Sequence, residues 1–306
     1  MSSKNVLHRT GDRRTYVIVQ EDGAYKKVVV QYRNFPDGDT HCSIEDAEVV
    51  AQKPVLIVHD LYPNQNEQII RLVLLIDLLK ELGAAKVAVF VPYLPYARQD
   101  RRHIPNEAVS IDTICRLIAG MSCECLYTID CHFMRGADET TRAGLRIKNS
   151  SAAALLIARA KALIGDRPFE VIGPDGGAAQ LVKDFGTQNM HKQRGVYEEI
   201  SEGVTYRQVS ELKSDHIQLK FNTVVILDDI ISTGSTLLKA IDSLQPKGVE
   251  SVYCVATHGL FLGEAYELLS KKAVGVVYTD TIPRDDVLPV IDDLLQRRVL
   301  PDYFSL

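Results

Sequence analysis

VVILDDIISTGSTL, residues 224–237, decides how the rest of the chain is read. Four aliphatic residues run into two adjacent acids, Asp228 and Asp229, and then into Ser232, Thr233, Gly234, Ser235 and Thr236. The aliphatic run suits a strand buried on both faces, as in a parallel sheet covered by helices. Ligands of such sheets collect beyond the carboxyl ends of the strands, and the two acids fall at such an end.

The small residues suit a tight loop whose backbone N–H groups face a phosphate at the start of the next helix. Hydroxyls of Thr233, Ser235 and Thr236 can add donors, and Gly234 permits close backbone approach. Carboxylates beside a phosphate nest would repel that phosphate, so they must face something else, namely sugar hydroxyls or a magnesium ion. A ribose carrying a 5-phosphate satisfies both ends of the stretch. A plain helix N-cap would also use an acid and a serine, but it does not call for the whole run. A P-loop is excluded, because the pattern GxxxxGK[ST] is absent.

The same alternation extends outward. PVLIVHD (54–60), KVAVFVPYL (86–94), CLYTID (125–130), FEVIGPD (169–175), ESVYCVATHG (250–259) and VGVVYTD (274–280) are further apolar runs of strand length. EQIIRLVLLIDLLKELG (67–83), VSIDTICRLIAG (109–120) and STLLKAIDSLQPKG (235–248) have helical apolar spacing. Strands alternating with such helices predict an α/β protein with parallel sheets. TYVIVQ and KKVVVQY, separated by EDGAY, predict a β-hairpin turning at Asp22-Gly23. NSSAAALLIARAKALIG (149–165) restarts the pattern and places a domain boundary near residue 148. The expectation is two domains of one kind, 1–148 and 149–306, with roughly the last fifteen residues packing back on the first.

A chain of 306 residues is long for one core, which agrees with two domains. Its 46% hydrophobic and 25% charged residues are those of an ordinary globular protein. A formal charge of −5 argues against broad binding to nucleic acid or a membrane surface, while allowing a local basic pocket. Cys42, Cys115, Cys123, Cys125, Cys131 and Cys254 form no CxxC pair or finger spacing. They are read as reduced thiols of a cytoplasmic protein. The opening MSSKNVLHRTGDRR lacks the apolar core of a secretory signal, and no apolar run is long enough to span a bilayer.

VVILDDIISTGSTL resembles the phosphoribosyl-pyrophosphate (PRPP) motif shared by type I phosphoribosyltransferases and ribose-phosphate diphosphokinases, or PRPP synthetases. Alone it does not separate an enzyme that consumes PRPP from one that makes it. Further segments resemble the synthetases: FPDGDTHCSI (35–44), PYLPYARQDRR (92–102), DCH (130–132), GPDGGAAQLV (173–182), ATHGLF (256–261) and DTIP (280–283). They follow the family's order from about residue 32 to 300.

The resemblance implies two phosphoribosyltransferase-like domains and transfer of the ATP diphosphoryl group to the C1 hydroxyl of ribose 5-phosphate, with Mg2+ as cofactor. By the same resemblance Arg98, Gln99 and His132 contact ATP, while Phe35, Asp37 and Asp39 hold adenine. In the family that adenine site is often shared between subunits, which implies a homo-oligomer, a dimer or hexamer. His132 and Asp175 stand on the metal side, and Lys192 and Arg194 of MHKQRG (190–195) clamp the transferring group beside His132. Asp228 and Asp229 meet the ribose hydroxyls or their metal, and Ser232, Thr233, Gly234, Ser235 and Thr236 take the 5-phosphate.

Some positions depart from the pattern. Ser232 stands where many members have an aspartate, Asp39 is shorter than the usual glutamate, and Gly195-Val196 replaces a basic-proline continuation. HIPNEAVS after the YARQD segment also differs, so no allosteric site is carried over. The alternatives are a weakly catalytic regulatory relative and a transferase that consumes PRPP. Retained Lys192, Arg194, His132, Asp175, Asp228 and Asp229 favour the active synthetase.

Overall fold

Asp22 and Gly23 turn the chain with φ of 50° and 78°, joining β1 (Tyr16–Glu21) to β2 (Ala24–Asn34). Two consecutive positive-φ residues match the right-handed twist of a hairpin, and Asp-Gly is among the pairs best suited to supply them. This hairpin belongs to a computed structural model that describes residues 14–134, 138–175, 177–186, 188–201, 204–213, 217–285 and 287–305. The chain divides into two compact units: everything up to Ser150 together with Ile291–Leu306, and Ser151–Val290.

In the first unit the hairpin is joined by β3 (Thr40–Ile44), β4 (Pro54–Val58), β5 (Lys86–Phe90), β6 (Cys125–Ile129), β7 (Glu139–Arg142) and β8 (Leu145–Ser150). The sheet runs β3-β2-β1-β4-β5-β6-β8-β7. Its centre, β4-β5-β6-β8, is parallel, and antiparallel strands close both edges. The β7–β8 hairpin is an addition to the predicted strands. Its sequence, ETTRAGLRIKNS, is too polar to announce two strands, and its edge position explains why it can be.

Helices α1 (Gln65–Glu81) and α2 (Ser110–Gly120) make the crossovers between the parallel strands. Leu72, Leu75, Ile76 and Leu79 of α1 are fully buried against Val55, Ile57, Val87 and Val89. Each such side chain contributes about 1.5–3 kcal/mol through burial. Gly83, with φ 81°, ends α1 as the sequence predicted, and its N–H and that of Ala84 donate to the carbonyls of Lys80 and Leu79.

The C-terminal helical segments Ile291–Leu294, Leu295–Val299 and Leu300–Phe304 belong to this unit. Tyr127 Oη donates to Asp302 Oδ2 at 2.6 Å, and Lys148 Nζ donates to the same oxygen at 2.5 Å. Burial first, and the carboxylate partner second, hold the Tyr127 hydroxyl far above its usual range, so it remains a donor.

The second unit contains α3 (Ala153–Ile164), β9 (Glu170–Gly173), α4 (Ala179–Val182), β10 (Gln188–Asn189), β11 (His191–Ser201), β12 (Val204–Lys213), β13 (Thr223–Ile231), α5 (Ser235–Leu244), β14 (Ser251–Gly259), α6 (Ala265–Lys272) and β15 (Gly275–Tyr278). Its five-stranded sheet runs β10-β9-β13-β14-β15 and is parallel throughout. Ile172, Val224, Ile226 and Cys254 from the strands meet Leu237, Ile241, Leu244 and Leu269 from the helices. β11 and β12 form a separate antiparallel ribbon. All seven apolar runs read as strands lie in the two large sheets, VGVVYTD at an edge. No helix among the described residues is long and apolar enough to cross a membrane.

Candidate active site

β13 delivers the two acids, but it does not stop at them. It continues to Ile231, pairing Ile230 with His258 and Ile231 with Gly259 on β14. The pairing with β9 ends at Ile226, so beyond that point β13 is held from one side only. Asp228 is buried and Asp229 half-buried, and the Asp229 N–H donates to Asp228 Oδ1 at 2.9 Å.

Ser232 and Thr233 lead to Gly234, which precedes α5 with φ 73° and ψ −6°. A Cβ there would lie 3.3 Å from Leu269 Cδ1 and 3.5 Å from Ala265 Cβ, so α6 supports the loop from below. Both the left-handed backbone and the contact favour glycine. Leu238 N–H donates to the Gly234 carbonyl at 2.9 Å, closing the first turn. Thr233 Oγ1 and Ser235 Oγ lie 3.3 Å apart. The first turn of α5 contains no acidic residue, and the partial positive charge of a helix N-terminus favours an anion.

The adjoining turn after β14 holds this loop. N–H groups of Leu260 and Phe261 donate to the Ile231 carbonyl, and that of Leu262 to the Ser232 carbonyl. Behind it, buried Thr279 and Thr281 both donate to the Thr257 carbonyl, at 2.7 and 2.9 Å, and Thr281 Oγ1 meets His258 Nδ1 at 2.9 Å. ATHGLF and DTIP carry Thr257, His258 and Thr281, to which the sequence alone assigns no role. Their partners lie more than twenty positions apart along the chain, so no local pattern announces them.

In the first unit His132 follows β6 in a turn where Asp130 has φ 40° and is buried. Asp130 N–H donates to the Ser150 carbonyl and Cys131 N–H to Asn149 Oδ1, both at 2.9 Å. The neighbouring strand β8 therefore fixes this turn. Asp130 itself, in a backbone region that non-glycine residues seldom occupy, received no role from the sequence. Arg98 is exposed and Gln99 half-buried in the loop after β5, where Gln99 Nε2 reaches the Arg101 and Ala108 carbonyls at 3.4 Å.

Phe35, Asp37 and Asp39 form the exposed turn between β2 and β3. The Phe35 N–H donates to the Asp39 carbonyl at 2.8 Å, and the ring is 54% exposed. Strand directions put this turn at the same end of the sheet as the carboxyl ends of β4, β5 and β6. Between β2 and β5 lie β1 and β4, so at sheet level the turn stands ~14 Å from the Arg98 strand. It stands ~19 Å from the His132 strand.

Lys192 and Arg194 lie two positions apart on β11, paired through the backbone with Leu212 and Val209, and the register shifts between Gln193 and Arg194. Their side chains lie outside the described residues, as does any contact they make. Asp175 follows β9, and its Oδ1 accepts from the Gly177 N–H at 2.7 Å. Among the described residues no group of three or more His, Cys, Asp or Glu could hold a metal.

Comparison with known proteins agrees with both halves. Residues 16–121 match the model of the N-terminal domain of ribose phosphate pyrophosphokinase, and residues 148–285 match the phosphoribosyl transferase domain. A ribose-phosphate pyrophosphokinase of Sulfurisphaera tokodaii is 32% identical over 270 residues, covering 86% of this chain and 90% of the relative. Another, from Thermococcus kodakarensis, is 32% identical over 272 residues, covering 84% and 87%. The crystal structure of phosphoribosylpyrophosphate synthetase from Mycobacterium smegmatis superposes with a TM-score of 0.73 at 21% identity, covering 91% of each chain, and so shares the fold. With sequence identity carried across nearly the whole of both domains, the chain belongs to the ribose-phosphate pyrophosphokinase family.

Proposed function

We propose that the protein is an active ribose-phosphate diphosphokinase, making PRPP and AMP from ribose 5-phosphate and ATP. The observation that carries this reading is the end of β13. There a pair of acids is followed by a helix N-terminus with no acid of its own in the first turn. The N–H groups and hydroxyls from Thr233 to Thr236 bind the 5-phosphate, with Ser232 at the loop's edge. Asp228 and Asp229 accept hydrogen bonds from the ribose hydroxyls and fix the sugar's orientation. The C1 hydroxyl oxygen attacks the β-phosphorus of ATP and releases its proton to solvent, the bond from that phosphorus to the α-phosphate oxygen breaks, and AMP leaves.

Little covalent work falls to the protein, so orientation and charge neutralisation dominate. Arg98, Gln99 and His132 hold the ATP phosphates, and Lys192 and Arg194 on the ribbon neutralise charge on the transferring group. Bound magnesium would withdraw charge from the phosphate oxygens. Asp175, Asp228 and Asp229 offer the oxygen donors it prefers, while His132, a nitrogen donor, is better suited to a phosphate oxygen.

Phe35 stacks on adenine, with Asp37 and Asp39 beside it, in a site completed by a second copy of the chain. That sharing would make the protein a homo-oligomer. We place the protein in the cytoplasm, because its six thiols, all free of disulfides, suit a reducing compartment. Incubation with ATP, magnesium and ribose 5-phosphate tests the reading. Equal amounts of AMP and PRPP are expected. Bound substrates without product would point to a regulatory relative, and base-dependent loss of supplied PRPP to a transferase.

A further inference from the structure

Arg284 directly follows the DTIP segment, and its side chain reaches the carbonyls at the end of β14. Its Nε donates to the Gly259 carbonyl at 3.0 Å and its Nη2 to the Leu260 carbonyl at 2.6 Å. The guanidinium carbon also lies 5.2 Å from the centre of the Phe261 ring. A planar fork with two donors and a flat face is matched to such a target, and lysine could not reproduce it.

The turn under this clamp is strained. Phe261 has φ 45°, a left-handed conformation that a bulky residue adopts only when its surroundings impose it. Its ring packs 4.7 Å from Tyr278 and 5.2 Å from Tyr266, centre to centre. A Cβ on Gly259 would lie 2.5 Å from Phe261 Cε2, so the ring closes directly over that glycine. The amides of the same turn are those that grip the Ile231 and Ser232 carbonyls, one step before Thr233. A continuous path therefore runs from Arg284, through Leu260–Leu262, to the backbone that presents the phosphate loop.

We infer that Arg284 is a positioning residue for the phosphate loop: it locks the strained turn after β14, and that turn sets the loop's geometry for ribose 5-phosphate. The inference rests on the proposed role of that loop. Residue 284 touches no substrate; it acts through the backbone.

The test compares wild type with Arg284→Met and Arg284→Lys in two measurements. Hydrogen exchange of the free protein should show faster exchange at Leu260–Leu262 in Arg284→Met, with unchanged exchange in β13. Steady-state kinetics should show KM for ribose 5-phosphate raised about tenfold, with KM for ATP altered less than about twofold. Arg284→Lys should fall between the two, since it keeps the charge and loses the fork. Unchanged exchange in Arg284→Met overturns the clamp. Faster exchange with unchanged KM for ribose 5-phosphate, or with both KM values raised equally, overturns its link to the loop. Wild-type protein that fails to bind ribose 5-phosphate would instead contradict the proposed function, and the link to the loop with it.

Discussion

Arg142 Nε donates to Asp112 Oδ1 at 2.6 Å, while its Nη2 donates to the Asp100 carbonyl at 2.5 Å. One side chain on edge strand β7 thus ties the first turn of α2 to the loop that carries Arg98 and Gln99. The same guanidinium lies over the Phe133 ring at 4.5 Å, next to His132. Both partners of the ion pair are partly exposed, so its strength is below that of a buried pair. Arg142→Met is expected to lower stability by about 1–2 kcal/mol in chemical denaturation and to raise KM for ATP. A variant with weakened stability and unaltered ATP kinetics would show that the tie does not shape the nucleotide loop.

Gly234 gives a second prediction. Its φ of 73° penalises any side chain, whereas the 3.3 Å approach to the tip of Leu269 can relax. Gly234→Ala should therefore cost about 1–2 kcal/mol, mostly from the backbone. It should also weaken ribose 5-phosphate binding, read by calorimetry. Stability within a few tenths of wild type would mean that the loop adopts another conformation.

His59 gives a third, on pH. Its Nε2 lies 3.0 Å from the Gln68 carbonyl, which can only accept, so the proton resides there and Nδ1 accepts from the Thr15 hydroxyl at 2.9 Å. Burial pushes the imidazole from the usual 6.5 down to about 4; the Gln68 carbonyl opposes the shift and the charge of Arg71 adds to it. The unfolded chain takes up a proton near 6.5 and the folded one only near 4, so stability falls as pH drops through that window. The loss amounts to about 3 kcal/mol by the lower limit. His59→Gln should flatten the slope of unfolding free energy between pH 6.5 and 5, where carboxylates contribute little. An unchanged slope would assign the dependence to other groups.

What the sequence made legible follows from how local each signal is. Asp22-Gly23 and Gly83 declare their turns because their backbone conformations are ones that few other residues accept. Buried strands such as Pro54–Val58 and Thr223–Ile231 declare themselves by unbroken aliphatic runs. Edge elements do not: Glu139–Arg142 and the ribbon His191–Ser201 with Val204–Lys213 are polar, and their pairing is set by partners in the fold. At the site, Asp228, Asp229 and the loop to Thr236 lie contiguously, so their chemistry could be read in order. Arg284 and the Thr257–Thr279–Thr281 cluster act through backbone carbonyls of distant residues, which carry no side-chain signature.

Lys192 tests the ribbon. If it neutralises charge on the transferring group, Lys192→Ala should reduce kcat by about 10²–10³-fold and change KM for either substrate only slightly. A near-normal turnover number contradicts that role.

The fate of the β-phosphorus of ATP tests the central claim most directly. With ATP labelled at that position, magnesium and ribose 5-phosphate, diphosphoryl transfer carries the label into PRPP and leaves AMP unlabelled. Label retained in ADP, or no transfer while both substrates are bound, would contradict the account.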